Sequence, residues 1–190
     1  MAYTTINKPG LHFNTKLYTG TGSSLALTGV GFQPDWVWIK ERNGNTNHFL
    51  HDSLRGATKA IFSNLNSSED TNAQYLTAFG ADGFTVGTNG GINTSSDTYA
   101  SWCWKAGTTG SGTTTGSGTS KAYTYSVNTT AGFSIIKYGG NSSNGHTIPH
   151  HLGAVPHTMI IKKLDGVAKD WRVYHKDVAN ANTRALRLNS

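Results

Sequence analysis

Ten carboxylates, eight imidazoles and one thiol are the groups in this chain that could carry chemistry. Glycoside hydrolysis would need two carboxyl groups roughly 5–10 Å apart across a sugar. The only glutamates are Glu41, at a strand end, and Glu69, in the Ser67-Ser68-Glu69-Asp70 loop. They form no close pair on one strand. Metal ligation would need converging imidazoles with supporting partners. His146, His150, His151 and His157 cluster in sequence, but Gly145, Pro149, Gly153 and Pro156 break the segment into loop. They read as polar loop residues. His51 lies near Asp52 and Ser53, yet no Gly-x-Ser-x-Gly elbow occurs, so His51 reads as a strand residue. Gly20-Thr21-Gly22 and Gly87-Thr88-Asn89-Gly90-Gly91 lack the helix and Lys-Ser/Thr of a phosphate cradle, and read as turns. Asp82, Asn93 and Asp97 are loop oxygens of the kind that hold Ca²⁺, but no Asp-x-Asp-x-Asp spacing is present. The expectation is therefore a protein without a cofactor and without catalysis.

Binding is the better-supported chemistry. Flat aromatic rings match the apolar faces of sugars, and Trp36, Tyr75 and Trp171 are the candidates for stacking on them. Trp38, Trp102 and Trp104 read as core. Cys103, between two tryptophans and without a second cysteine, reads as a small buried hydrophobe.

The composition fits that picture. Charged residues are 14% of the 190, against about a quarter in an average soluble domain. The five Trp, eight Tyr and seven Phe are enough for a core, so disorder is excluded. The net charge is +6, but the basic residues stand singly except Lys162-Lys163, so nucleic acid is not an expected partner. Residues 1–6 carry neither a charged segment nor an apolar run, and no signal peptide or membrane insertion is expected. Synthesis in a cytoplasm follows from that reading.

Short strands must position these groups. Residues 13–18, 24–28, 36–40, 48–54, 60–62, 75–79, 84–87 and 99–105 read as strands separated by Gly, Asn, Asp and Ser clusters. Val37 and Ile39 share one face, Trp36 and Trp38 the other, so 36–40 is expected to be central and covered on both sides. Likewise Ala100, Trp102 and Trp104 face away from Tyr99, Ser101 and Cys103. Ala81-Asp82-Gly83 marks a hairpin turn. Further strands are expected at 123–127, 133–138, 158–163 and 171–174. The fold class is all-β, an antiparallel β-sandwich.

The pattern is written twice. Phe13-x-x-x-x-Tyr18-x-Gly20 returns as Phe133-x-x-x-x-Tyr138-x-Gly140, and the segment from Gly31 to Lys40 returns from Gly153 to Lys162. His51 matches His175, and Thr58–Asn64 matches Thr183–Asn189. This predicts a lead at 1–12, a first sandwich repeat at 13–107, a Gly/Ser/Thr linker at 108–121 and a second, incomplete repeat at 122–190. Three completions are open: further polypeptide, strands from a neighbouring subunit, or a single fold built from both units.

Four motifs carry a family resemblance: Gly31-Phe32-Gln33-Pro34-Asp35-Trp36-Val37-Trp38-Ile39-Lys40, Ser53-Leu54-Arg55-Gly56-Ala57-Thr58-Lys59, Asp82-Gly83-Phe84-Thr85-Val86-Gly87, and Tyr99-Ala100-Ser101-Trp102-Cys103-Trp104-Lys105-Ala106. Together they resemble an uncharacterised repeat domain of marine bacteriophage virion and tail-fibre-like proteins. By analogy its fold is concanavalin A-like or laminin-G-like. The resemblance implies a non-enzymatic virion protein, made in the host cytoplasm and released by lysis. It implies a homo-oligomer with other virion subunits and a host cell-surface glycan as partners. It carries over no catalytic residue.

Overall fold

The computed structural model describes residues 6–178 and 186–189. Strand β1 (Phe13–Thr19) is followed by β2 (Leu25–Thr28), β3 (Trp36–Glu41), β4 (Phe49–Asp52), β5 (Lys59–Phe62), β6 (Asp70–Thr71), β7 (Leu76–Gly80) and β8 (Gly83–Val86). The single-turn helix α1 (Gly90–Asn93) leads into β9 (Thr98–Trp104). All ladders are antiparallel. One six-stranded sheet runs β1-β9-β3-β4-β5-β6, and a three-stranded sheet runs β2-β8-β7. Val37, Ile39, Phe49, Ala60, Phe62, Tyr99 and Cys103 from the larger sheet pack against Leu27, Leu76, Phe84 and Val86 from the smaller. This is a β-sandwich, and Cys103 lies buried in it as expected. The period of two does the sorting: β3 and β9 alternate strictly between buried and half-exposed positions.

The polar motif residues are spent on this framework. Asp35 is buried, with Oδ1 accepting from Ser53 Oγ (2.7 Å) and Oδ2 from Ala106 N (2.8 Å). That ties the start of β3 to the residues after β4 and β9. Arg55 is buried against Asp52 (2.5 Å), reaches Glu69 (3.2 Å) and donates to Leu50 O (2.9 Å). Asp82 accepts from the backbone of Gly29 and Gly31, closing the β2 end onto the β7–β8 turn. Asn93 accepts from Thr21 N and donates to Ser23 O and Gly87 O, using both of its amide donors.

Residues 108–121, expected as a linker, instead carry β10 (Thr108–Thr113) and β11 (Thr115–Gly116). They are followed by β12 (Ala122–Asn128), β13 (Phe133–Tyr138), β14 (His146–Thr147), β15 (Thr158–Ile161) and β16 (Arg172–His175). The sheets here are β10-β12-β13, β11-β14 and β15-β16. A Gly/Ser/Thr strand buries little of its own, so its neighbour provides the packing. Gly110 lies opposite Tyr125, and Gly112 opposite Tyr123. A Cβ at Gly110 would stand 2.5 Å from the Tyr125 hydroxyl, and the Tyr125 ring is stacked on His151 at 3.7 Å. The glycines let the tyrosine rings lie over the backbone. Gly110→Ala is accordingly expected to cost about 1–3 kcal/mol, read by urea unfolding. It should also move the His151 ring proton shifts as Tyr125 is pushed aside.

The two histidines matched in sequence are not structurally equivalent. His51 faces Val37 across β3–β4, whereas His175 faces Thr158, the residue matched to Trp36, across β15–β16. A one-residue shift in register exchanges the faces. His51 is fully buried, while the His175 side chain is 44% exposed. Of the other matched stretch, Thr183–Asn189, residues 183–185 lie outside the described residues.

Candidate functional site

Alternation places Trp36, Trp38, Trp102 and Trp104 on the outer face of the six-stranded sheet, opposite the core. Registry makes them cross-strand neighbours: Trp36 faces Trp104, and Trp38 faces Trp102. Two elements cover part of this face. Phe13 packs on Trp104 at 4.8 Å and Phe133 stacks near it at 6.2 Å. At the other side Trp171 and Leu164 close over Leu50, Ile61 and Trp36. Between the covers, Trp38, His48, Trp102 and Trp104 line an open, almost wholly apolar cleft of about 220 Å³.

The cleft's geometry is held by edge-to-face contacts. Trp38 meets Trp102 at 6.2 Å and 69°, and His48 at 5.8 Å and 71°. The Trp38 indole N–H donates to His48 Nδ1 (3.1 Å), fixing both rings. Partial burial, and then the Lys40 ammonium, hold the His48 pKa below its ordinary value. His48 thus stays neutral and able to accept that bond. The backbone N–H of His48 is anchored by Asn64 Oδ1, and Asn64 in turn donates to Asn47 Oδ1. Rigid aromatic faces of this kind can stack a planar apolar surface. A wider cleft of about 500 Å³ lies between 105–108 and 127–130, and it gathers no comparable set of rings.

Of the three aromatic residues expected to stack on sugars, Trp36 and Trp171 pack in one cluster and Tyr75 lies in the core between the sheets. Tyr75 is 6% exposed and its hydroxyl donates to Asp70 (2.5 Å). Trp171 is 1% exposed and its indole N–H reaches Phe62 O (2.8 Å) and Leu65 O (3.1 Å). Neither presents an open face. Trp36 is half-exposed beside the cluster around Trp171. Trp38, Trp102 and Trp104, expected in the core, are half-exposed like Trp36, and Trp38 also packs against the Trp171 cluster. The alternating pattern held this information in part, because four tryptophans shared a face opposite Val37, Ile39 and Cys103. It could not say which face turned outward.

The remaining candidates do not converge. Among the described residues no group of three or more His, Cys, Asp or Glu could hold a metal ion. Asp82 is engaged at the β7–β8 turn, Asn93 within α1, and Asp97 with Asn43. His151 stacks on Tyr125, whereas His146 bonds Asn141 and Ser117. No helix among the described residues is long and apolar enough to cross a membrane.

Residues 8–190 match the model of a domain of unknown function, DUF7483, and the chain belongs to that family. The match spans the sandwich and the sheets that follow it. No curated protein matches the chain. No solved structure matches it.

Proposed function

We propose that this DUF7483 member is a non-catalytic structural module of a bacteriophage virion, a tail-fibre or appendage sandwich that attaches to host-surface glycan. The observation that carries the attachment is the open aromatic cleft of Trp38, Trp102 and Trp104 beside His48. A sugar ring stacked on Trp102 would lie beside His48. The motif polar residues support a structural role, since Asp35, Arg55 and Asp82 are each bonded into the framework. The virion setting rests on the four-motif resemblance. Repetition of such modules on one particle would raise weak single-site affinity through avidity.

Glycan-array screening of the purified chain, followed by titration of the best ligand, tests the site. Trp102→Ala is expected to weaken binding by roughly tenfold, about 1.4 kcal/mol, with an unchanged circular dichroism spectrum. Equal binding by Trp102→Ala and Trp38→Ala would remove the cleft from the proposal. Immunogold labelling of purified particles tests the setting. Label on distal fibres fits attachment, label over the head fits a decoration or assembly module without a ligand, and its absence fits a free carbohydrate-binding module.

A further inference from the structure

We infer that the aromatic cleft takes an acidic sugar, its ring on the tryptophans and its carboxylate toward Lys40 and Arg42. This rests on the glycan reading above and names the class of glycan. The argument starts from register. Trp38 pairs with Trp102, and the next pair on the same face of the sheet is Lys40 with Ala100. Residues two apart on a strand share a face and lie about 7 Å apart. Lys40 is therefore rooted in the row beside the two rings. Its charge is also felt at His48, which lines the cleft.

The cations on this flank are free. Lys40 Nζ donates to Gly44 O (3.3 Å) and Thr46 O (3.0 Å), which holds it beside the loop after β3. An ammonium has three N–H donors, so one is left for a ligand. The ladder with β9 reaches Arg42, whose backbone N–H donates to Thr98 O (2.7 Å). Alternation thus carries the exposed Arg42 side chain to the face of Lys40. Among the described residues neither cation makes an ion pair. The neighbouring carboxylates are committed elsewhere. Glu41, between the two cations, is buried with Val37 and Ile39 on the opposite face. Asp52, across from Trp36, pairs with Arg55, and Asp97 accepts from Asn43.

The cleft itself selects for an acceptor. The Trp38 N–H and His48 Nδ1 satisfy one another, so neutral His48 carries its proton on Nε2. The indoles of Trp102 and Trp104 can only donate. The four lining side chains and the two cations thus offer N–H donors and no free acceptor. A hydroxyl buried there would leave its own proton unmatched, at a cost. A carboxylate only accepts, and its bonds to cationic donors are the stronger kind. An acidic sugar combines the flat apolar ring face with that group.

The probes are tetragalacturonate and tetramannuronate, each beside its methyl ester, which keeps the ring and removes the charge. Calorimetric titration of the intact chain should show at least one acid binding about tenfold or more tighter than its ester at low salt. The preference should shrink as ionic strength rises. Arg42→Gln, at an exposed position, should reduce it, and Lys40→Gln with Arg42→Gln should abolish it. Trp102→Ala should weaken the acid as well. Equal affinity for acid and ester, or a preference that survives the double variant, would overturn the inference and leave the glycan reading standing. Acid binding unchanged by Trp102→Ala would show charge attraction without the cleft, and would also overturn it. Tighter binding of oligothymidylate would reassign the face to nucleic acid. No binding of these probes or of any arrayed sugar would sink both readings.

Discussion

Replacing Trp171 by alanine is expected to lower the unfolding free energy by about 3–5 kcal/mol, the usual range for a large buried aromatic. Trp171 is 1% exposed and packs with Leu50, Ile61 and Trp36 on the outer face of the six-stranded sheet. Its indole N–H also joins the segment before β16 to Phe62 O and Leu65 O. Among the described residues three other hydrogen bonds span that boundary: Lys162 donates to Asn66 O, Glu69 N to Leu164 O, and Ser68 Oγ to Gly166 O. These lie toward solvent and contribute less. The alanine variant should therefore release the β15–β16 hairpin before the sandwich unfolds. Urea titration would then show two transitions, the first visible as faster amide exchange at 158–175. Trp171→Phe keeps much of the packing and loses the N–H, so about 1–2 kcal/mol is expected. A single transition with unchanged midpoint in Trp171→Ala would show that the hairpin is held by other means.

Acid should destabilise the sandwich through His51. This side chain is fully buried, stacked near Phe49 and edge-on to Tyr75. Its Nδ1 contacts Lys59 O at 2.8 Å, so that nitrogen carries the proton, and Nε2 is buried without a partner. Burial lowers the His51 pKa to about 3; the Lys59 carbonyl opposes the shift and the Arg55 charge adds to it. The unfolded chain binds the proton near pH 6.5, while the folded chain refuses it until about pH 3. The stabilisation is thus complete above pH 6.5 and is lost as pH falls toward 3. The slope is about 1.4 kcal/mol per pH unit, so roughly 2 kcal/mol should go between pH 6.5 and 5. His48 contributes in the same direction, since its pKa is also lowered. Urea unfolding at pH 7.5, 6, 5 and 4.5 reads the slope. His51→Gln is expected to be less stable at pH 7.5 but much flatter across this range. An equally steep profile in that variant would place the acid sensitivity elsewhere.

The outcome at particular residues shows how far local pattern reaches. The β7–β8 hairpin was legible because Asp82-Gly83 sits between alternating segments, and turn chemistry is local. β3 and β9 were legible because a strand's period of two survives in any environment. The stretch 108–121 was not legible, since its strand character depends on Tyr123 and Tyr125 lying across Gly112 and Gly110. That packing comes from a neighbouring strand, and composition alone reads the same residues as a linker. The burial of Tyr75 and Trp171, two of the three sugar-stacking candidates, was hidden in the same way. Trp171 looks open in sequence and is buried by Leu50 and Ile61, more than a hundred positions away.

By itself, then, the sequence determined the all-β class, the strand positions of the sandwich, the central place of β3 and the shared face of its tryptophans. Those properties follow from side-chain alternation and turn residues, which act within a few positions. Tertiary structure alone decided that Asp35, Arg55 and Asp82 serve the framework, that His51 and His175 take opposite faces, and which tryptophans stay open. Each of these depends on what a distant strand lays against a face, and on a register in which one residue exchanges inside for outside.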